Sequence, residues 1–207
     1  MTPRSGSLRG LLAAACAVAG CAAVPPPVHF HTLLAPASEP AVADPAGFLI
    51  DVLPVGIPPQ LDQPYLVVHL PDGGITMPDN ERWTGPLADE VRSAVSAELT
   101  RRLGTRDVAG LPRPAGRSVL RMQLQVRRLD ATVGREVQLD ADWSVGSADD
   151  AGAARRTCGG RFTVAAPGGY AELVRAEQRA LADLAGRIAA DLRAWGVSPD
   201  RVCRADA

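Results

Sequence analysis

Four cysteines and three histidines are the residues of this 207-residue chain most able to do chemistry. Cys21 lies in Val18-Ala19-Gly20-Cys21, between an apolar run and Pro25-Pro26-Pro27. Its thiol is therefore a buried group, half of a disulfide or a point of attachment. His29 and His31, in His29-Phe30-His31-Thr32-Leu33-Leu34, would share one side of a short strand. That is a weak metal signal: His69 is the one further histidine and no carboxylate cluster stands nearby in the sequence, so no metal centre is expected. Cys158 and Cys203 either pair in an oxidising compartment or are two unrelated buried thiols.

No catalytic constellation is legible. G-x-S-x-G, C-x-x-C and H-E-x-x-H are all absent, and a phosphate-binding lysine is impossible because every basic residue is arginine. Gly73-Gly74, Gly159-Gly160 and Gly168-Gly169 are better explained by backbone need than by phosphate. Asp149-Asp150 reads as a solvated pair in a loop, and Asp140 and Asp142 as outward positions on a strand. A non-catalytic role with no cofactor is the expectation.

The start of the chain is more specific. Arg4 and Arg9 precede residues 10–20, a short uncharged run of small and apolar residues. That is the order of a secretory signal, and it is too short to cross a bilayer, which needs about 20 apolar residues. Val18-Ala19-Gly20-Cys21 resembles the bacterial lipobox, in which small side chains admit the peptidase and the cysteine thiol takes a diacylglycerol. The resemblance implies that Cys21 becomes the lipidated first residue of the mature protein. Position 22 is alanine rather than the aspartate that tends to retain lipoproteins at the inner membrane, which favours the outer membrane, facing the periplasm.

Removal of residues 1–20 would leave 20 arginines against 23 acids, a net charge of about −3. No basic excess points to nucleic acid. Residues 21–47 are rich in proline and alanine and read as a tether. Residues 48–197 form one expected domain, and 198–207 a C-terminal tail.

Within the domain the periodicity alternates between two types. FLIDVLPV (48–55) fits a buried strand, and Tyr65–Leu70 a second, with a turn at Pro71-Asp72-Gly73-Gly74 and a return through Ile75-Thr76-Met77. Leu87, Val91, Val95, Leu99 and Leu103 recur every fourth residue, marking a helix with Pro86 in its first turn, Thr84 as a cap and Gly104 as its stop. Residues 118–165 switch to period two in three runs, an antiparallel meander with turns near Val133-Gly134 and in 146–153. Cys158 then points inward. A long helix over about 170–195 carries Leu173, Leu181, Leu184, Ile188 and Leu192 on one stripe. The fold class is α+β: a two-layer domain with a mixed or antiparallel sheet against two amphipathic helices.

Three segments then resemble a family. Phe30-His31-Thr32-Leu33 follows the lipobox-like cysteine, Ile57-Pro58-Pro59-Gln60-Leu61-Asp62-Gln63-Pro64 makes a stiff loop, and Arg82-Trp83-Thr84-Gly85-Pro86-Leu87 opens the first helix. They are similar to the Y-Y-T-L, I-P-x-x-L-D-x-P and R-W-x-x-P-L motifs of the PqiC-type (YmbA-type) ABC-transport auxiliary lipoproteins, over roughly residues 21–195. Phe30 and His31 replace the tyrosine pair, so a phenol hydroxyl is missing there, and Gly85 replaces the acid before the motif's proline. The resemblance implies a lipid-anchored auxiliary of an MCE-type system moving lipid between the membranes, with an MCE-domain protein and a membrane permease as partners and a homo-oligomer as a plausible assembly. Leu61, Tyr65, Arg82 and Trp83 are the expected partner-facing residues; the other reading of Trp83 and Arg82 is a plug at the sheet edge and an ion-paired side chain. Two further readings stand beside this one: a periplasmic lipid-binding module and a structural envelope lipoprotein.

Overall fold

The computed structural model describes residues 26–36, 44–148, 155–198 and 202–203; Cys21 lies outside them, as does the middle of the loop after Ser147. The strands are β1 (His29–His31), β2 (Leu49–Val52), β3 (Val68–His69), β4 (Ile75–Thr76) and β5 (Glu81–Trp83). They are followed by α1 (Leu87–Leu103), β6 (Val119–Thr132), β7 (Glu136–Ser147), β8 (Arg156–Ala165) and α2 (Tyr170–Val197).

β6 organises the sheet because both of its edges are used. On one side it pairs antiparallel with β7, which pairs antiparallel with β8, from Leu120↔Ser147 to Thr132↔Glu136 and from Glu136↔Ala165 to Val145↔Arg156. The other edge takes β2 in parallel at Val119–Met122, then Gly56 at Gln125, then His69 at Thr132. The expected meander is therefore one half of a mixed, open sheet. β2 and β3 both run parallel to β6 on this edge, and the 57–66 segment between them swings away to meet β5.

Alternation decides the faces. Leu120, Met122, Leu124, Val137, Leu139, Trp143 and Val145 are buried on one side, where α2 packs on β7 and β8 and α1 packs on α2. Every residue of the α1 stripe is buried, and Gly104 closes the helix in the left-handed conformation (φ +59°), its N–H bonded to Thr100 O. Thr84 does not cap α1: the N-cap position is Pro86, and Thr84 Oγ1 donates to Glu90 instead. The first turn is served from a distance by Asp62, whose Oδ1 accepts from Ala88 N at 3.3 Å, placing an anion at the positive end of the helix.

The strand expected over Tyr65–Leu70 is regular only at Val68–His69, with a single bridge at Tyr65. Its partner changes register: Val68 faces Thr76, but Tyr65 faces Arg82. Pro78, Asp79 and Asn80 are surplus on the partner side, and Pro78 has no N–H to offer a ladder.

Two buried polar groups distinguish the interior. Asp191 accepts from Trp143 Nε1 and from Cys203 N, each at 2.9 Å. Cys203 is joined by a disulfide to Cys158 of β8, across 45 residues of sequence. The bond and Asp191 together pin the chain after α2 against β7 and β8. Glu177 of α2 is only 4 % exposed, and its Oε2 has no hydrogen-bond partner. Burial pushes its carboxyl up to about 8.

Two stability predictions follow from these groups. Closing a 45-residue loop stabilises by roughly 4 kcal/mol in the chain-entropy account, so Cys203→Ser should lower the thermal midpoint by about 10 °C under oxidising conditions. Reductant should remove the difference between the two proteins. For Glu177 the folded-state value lies above the unfolded one, so its contribution is full below pH 4.5 and is lost as pH rises toward 8. Relative to the parent, Glu177→Gln should gain stability between pH 5 and pH 8 by on the order of a few kcal/mol. Urea midpoints at the two pH values measure this; a gap that does not change with pH contradicts it.

Candidate functional site

The residues singled out by the sequence converge on one corner, where β1, β5 and the start of α1 meet the 57–64 loop. That loop is rigid by construction. Leu61 N and Asp62 N both bond to Pro58 O (2.9 and 3.3 Å), Gln63 Nε2 bonds to Pro59 O (3.1 Å), and three prolines fix φ along it. It ends on β5, where Trp83 N donates to Pro64 O at 3.0 Å and Leu66 N to Glu81 O at 3.1 Å.

Each expected residue has a definite place here. Leu61 is half-buried and packs on the edge of the core. Tyr65 and Arg82 are half-exposed neighbours across the bridge, with the guanidinium carbon 4.9 Å from the ring centre, a cation–π contact. Arg82 Nε donates to Asp79 O at 3.0 Å, which fixes the guanidinium over the ring. Trp83 belongs inside: it is 5 % exposed and part of the main core. Its alternation with Arg82 on a strand leaves one of the pair facing solvent and the other facing the helices. In the isolated chain the available surface of this set is Leu61, Tyr65 and Arg82.

A group that sequence reading missed lies on the inner side of the same strands. β1 runs parallel to β5 in the register His29↔Glu81, Phe30↔Arg82 and His31↔Trp83. This places the Glu81 carboxylate between both imidazoles. Oε1 accepts from His29 Nδ1 at 2.8 Å and Oε2 from His31 Nε2 at 2.5 Å. Burial by itself would push the Glu81 carboxyl up; the hydrogen bonds from His31 and His29 outweigh it and hold the group below its ordinary value. The contact therefore survives at pH values where a free glutamate would begin to protonate. Spacing in the sequence revealed the two histidines, but Glu81 is 50 residues from His31, and only the parallel pairing of β1 with β5 joins them.

Beside this trio opens a cleft of about 750 Å³, lined by His29, His31, Glu81, the 167–172 turn into α2, and Arg175. Its chemistry is closed on itself: both Glu81 oxygens are taken, and Arg175 pairs with Glu172 at 2.9 Å. Among the described residues no group of three or more histidine, cysteine, aspartate or glutamate side chains is arranged to hold a metal ion. His69, the third histidine, sits 3.4 Å from Asp130 at the far end of β6. The geometry is that of a clamp. Glu90 extends it, accepting from Leu33 N (2.8 Å) and Thr32 Oγ1 (2.7 Å), while Gln178 Nε2 donates to Thr32 O (2.9 Å). Residues 29–33, within the segment that composition reads as a tether, are thereby fastened to β5, α1 and α2.

The fold has solved relatives. One uncharacterised protein superposes with a TM-score of 0.62 at 18 % identity, over 81 % of this chain and 99 % of that one. A protein from Xanthomonas campestris superposes with a TM-score of 0.56 at 17 % identity, over 84 % and 96 %. At these identities the likeness is one of fold. No curated protein matches the chain. The family model for the ABC-type transport auxiliary lipoprotein component matches residues 31–189, a span that opens at the histidine clamp and closes in the last turns of α2. This chain is a member of that family, a transport-associated lipoprotein of the cell envelope.

Proposed function

We propose that this chain is a non-catalytic adaptor of an MCE-type system that moves lipid between two membranes. In this reading Cys21 is its acylated first mature residue, and its seat is the outer membrane, on the periplasmic face. The observation that carries the reading is the family match over residues 31–189. The several acyl chains of a bacterial lipoprotein give a durable anchor where one alone holds weakly.

The packing supports an adaptor over a carrier of acyl chains. Trp143, Leu124, Leu139, Leu184 and Ile188 are all essentially inaccessible, so the protein's own side chains fill the space between helices and sheet. The outward-facing part of the motif corner supplies the partner surface. Pro58, Pro59 and Pro64 stiffen the loop around Leu61, which reduces the entropy lost on docking. Tyrosine and arginine, as at Tyr65 and Arg82, are favoured interface anchors. Trp83 contributes from below, filling the core under the strand that presents Arg82. The partners are an MCE-domain protein and a membrane permease. A homo-oligomer would present several copies of the patch and gain from avidity.

Replacing Leu61 and Arg82 together by alanine should reduce co-purification of the MCE-domain protein at least fivefold while moving the thermal midpoint by only a few degrees. Trp83→Ala should instead cost about 3–5 kcal/mol of stability, the usual range for a buried tryptophan. Full retention of the partner by the Leu61→Ala, Arg82→Ala protein would place the docking surface elsewhere. Phospholipid remaining bound to purified, delipidated protein in native mass spectrometry would favour the lipid-binding reading.

A further inference from the structure

The outer face of the sheet changes character from one end to the other. On β6, β7 and β8 the side chains turned away from the helices are polar and paired, Arg127 with Asp142 and Arg161 with Asp140. Beyond Thr132 the same face passes to β3 and β4, and the isolated bridge from Tyr65 to Arg82 carries it on to the separate two-stranded sheet of β5 and β1. Leu66 and Val68 are buried, so Tyr65, Val67 and His69 face out. His69 pairs with Ile75, and alternation puts Met77 on the same side as Ile75. Tyr65 bridges to Arg82, and Arg82 pairs with Phe30. Residues paired across strands point to one side, so Ile75, Met77, Val67 and Phe30 share this face, with Tyr65 and Arg82 joining them to the 57–64 loop. Ile75, Met77 and Phe30 are 60 %, 51 % and 65 % exposed. Three of the eight large hydrophobic side chains exposed among the described residues, Phe30, Ile75 and Met77, therefore fall on this one face. An apolar concentration of this kind on an otherwise charged face marks a contact surface.

We infer that the apolar part of this face, around Phe30, Ile75 and Met77, rests on a lipid bilayer, the one that holds the acyl group, while Tyr65 and Arg82 at its border stay open to the protein partner. The inference depends on Cys21 being the lipidated residue. Seven residues lead from Cys21 to Val28, a fully extended reach of at most about 25 Å, and the chain then enters β1 directly. The clamp around His29, His31 and Glu81 holds β1 in place, so Phe30, two residues further on, stays within about 32 Å of the acylated cysteine. The exposed Leu111, in the loop before β6, lies at the opposite end of a 14-residue strand, about 40 Å away. Asp72 and Asp79 are exposed at the rim, so burial of apolar surface drives the contact, and it persists on phosphatidylethanolamine without anionic lipid. Both helices lie on the opposite side of the sheet and face the aqueous space.

The test uses the full, processed chain reconstituted into phosphatidylethanolamine vesicles containing a dibrominated acyl lipid. Phe30→Trp, Met77→Trp and Leu111→Trp each add one indole to the three already present, and emission is read against the unsubstituted chain. The added emission of the first two should fall by at least half, and that of Leu111→Trp should not change. Intact mass of the same samples reports acylation of Cys21. An acylated Cys21 with equal quenching at all three positions overturns the inference alone; an unmodified Cys21 overturns it together with the reading it rests on. Concentration-dependent shielding of the Phe30→Trp indole from iodide in detergent, without quenching by brominated lipid, assigns the face to a second copy. Shielding that requires the MCE-domain protein assigns it to that partner. Either result overturns the inference.

Discussion

A single buried carboxylate fastens the start of the domain to the rest. Glu81 takes His29 on one oxygen and His31 on the other, and it sits on the strand whose next residue, Arg82, faces out and whose last, Trp83, enters the core. Removing the carboxylate would leave two imidazoles without their acceptor and a short strand held mainly by parallel backbone pairing, which is weak for so few residues. The force of any membrane anchor attached upstream would enter the fold at this point. Glu90 and Gln178 then pass the load to α1 and α2.

The same corner explains how an auxiliary protein can be specific. The rigid 57–64 loop, the bridge from Tyr65 to Arg82 and the Asp62 contact to the first turn of α1 make a surface whose shape is set before any partner arrives. At the other side of the domain, the disulfide and Asp191 close the sheet against the chain after α2. Between these two fixtures the interior is packed with side chains. Glu177 is the exception, a carboxyl that burial keeps neutral at moderate pH.

Much of the architecture was legible in the sequence. The every-fourth-residue stripe of α1 and the period-two runs of β6, β7 and β8 depend on local repetition, and each formed where repetition placed it. The parallel pairing of β2 and β3 with β6 was not legible, because it joins segments 70 or more residues apart in the case of β2 and carries no periodic signature. The cap of α1 was misassigned for a related reason. Thr84 has the right chemistry, but a carboxylate from the preceding loop reached the helix first. Glu81 carries no signal in the sequence, because its partners His29 and His31 reach it only through the pairing of β1 with β5. The inward turn of Trp83 follows from strand alternation, which a motif read as a string of letters does not display.

The central claim is that this lipoprotein works by holding on to the components of an envelope transport system. Proximity labelling in living cells, with the labelling enzyme fused after Ala207 of the full chain, addresses it most directly. The account predicts enrichment of an MCE-domain protein and its membrane permease over other envelope proteins of similar abundance. A labelled set containing neither, from cells in which the fusion is acylated and membrane-bound, would contradict it.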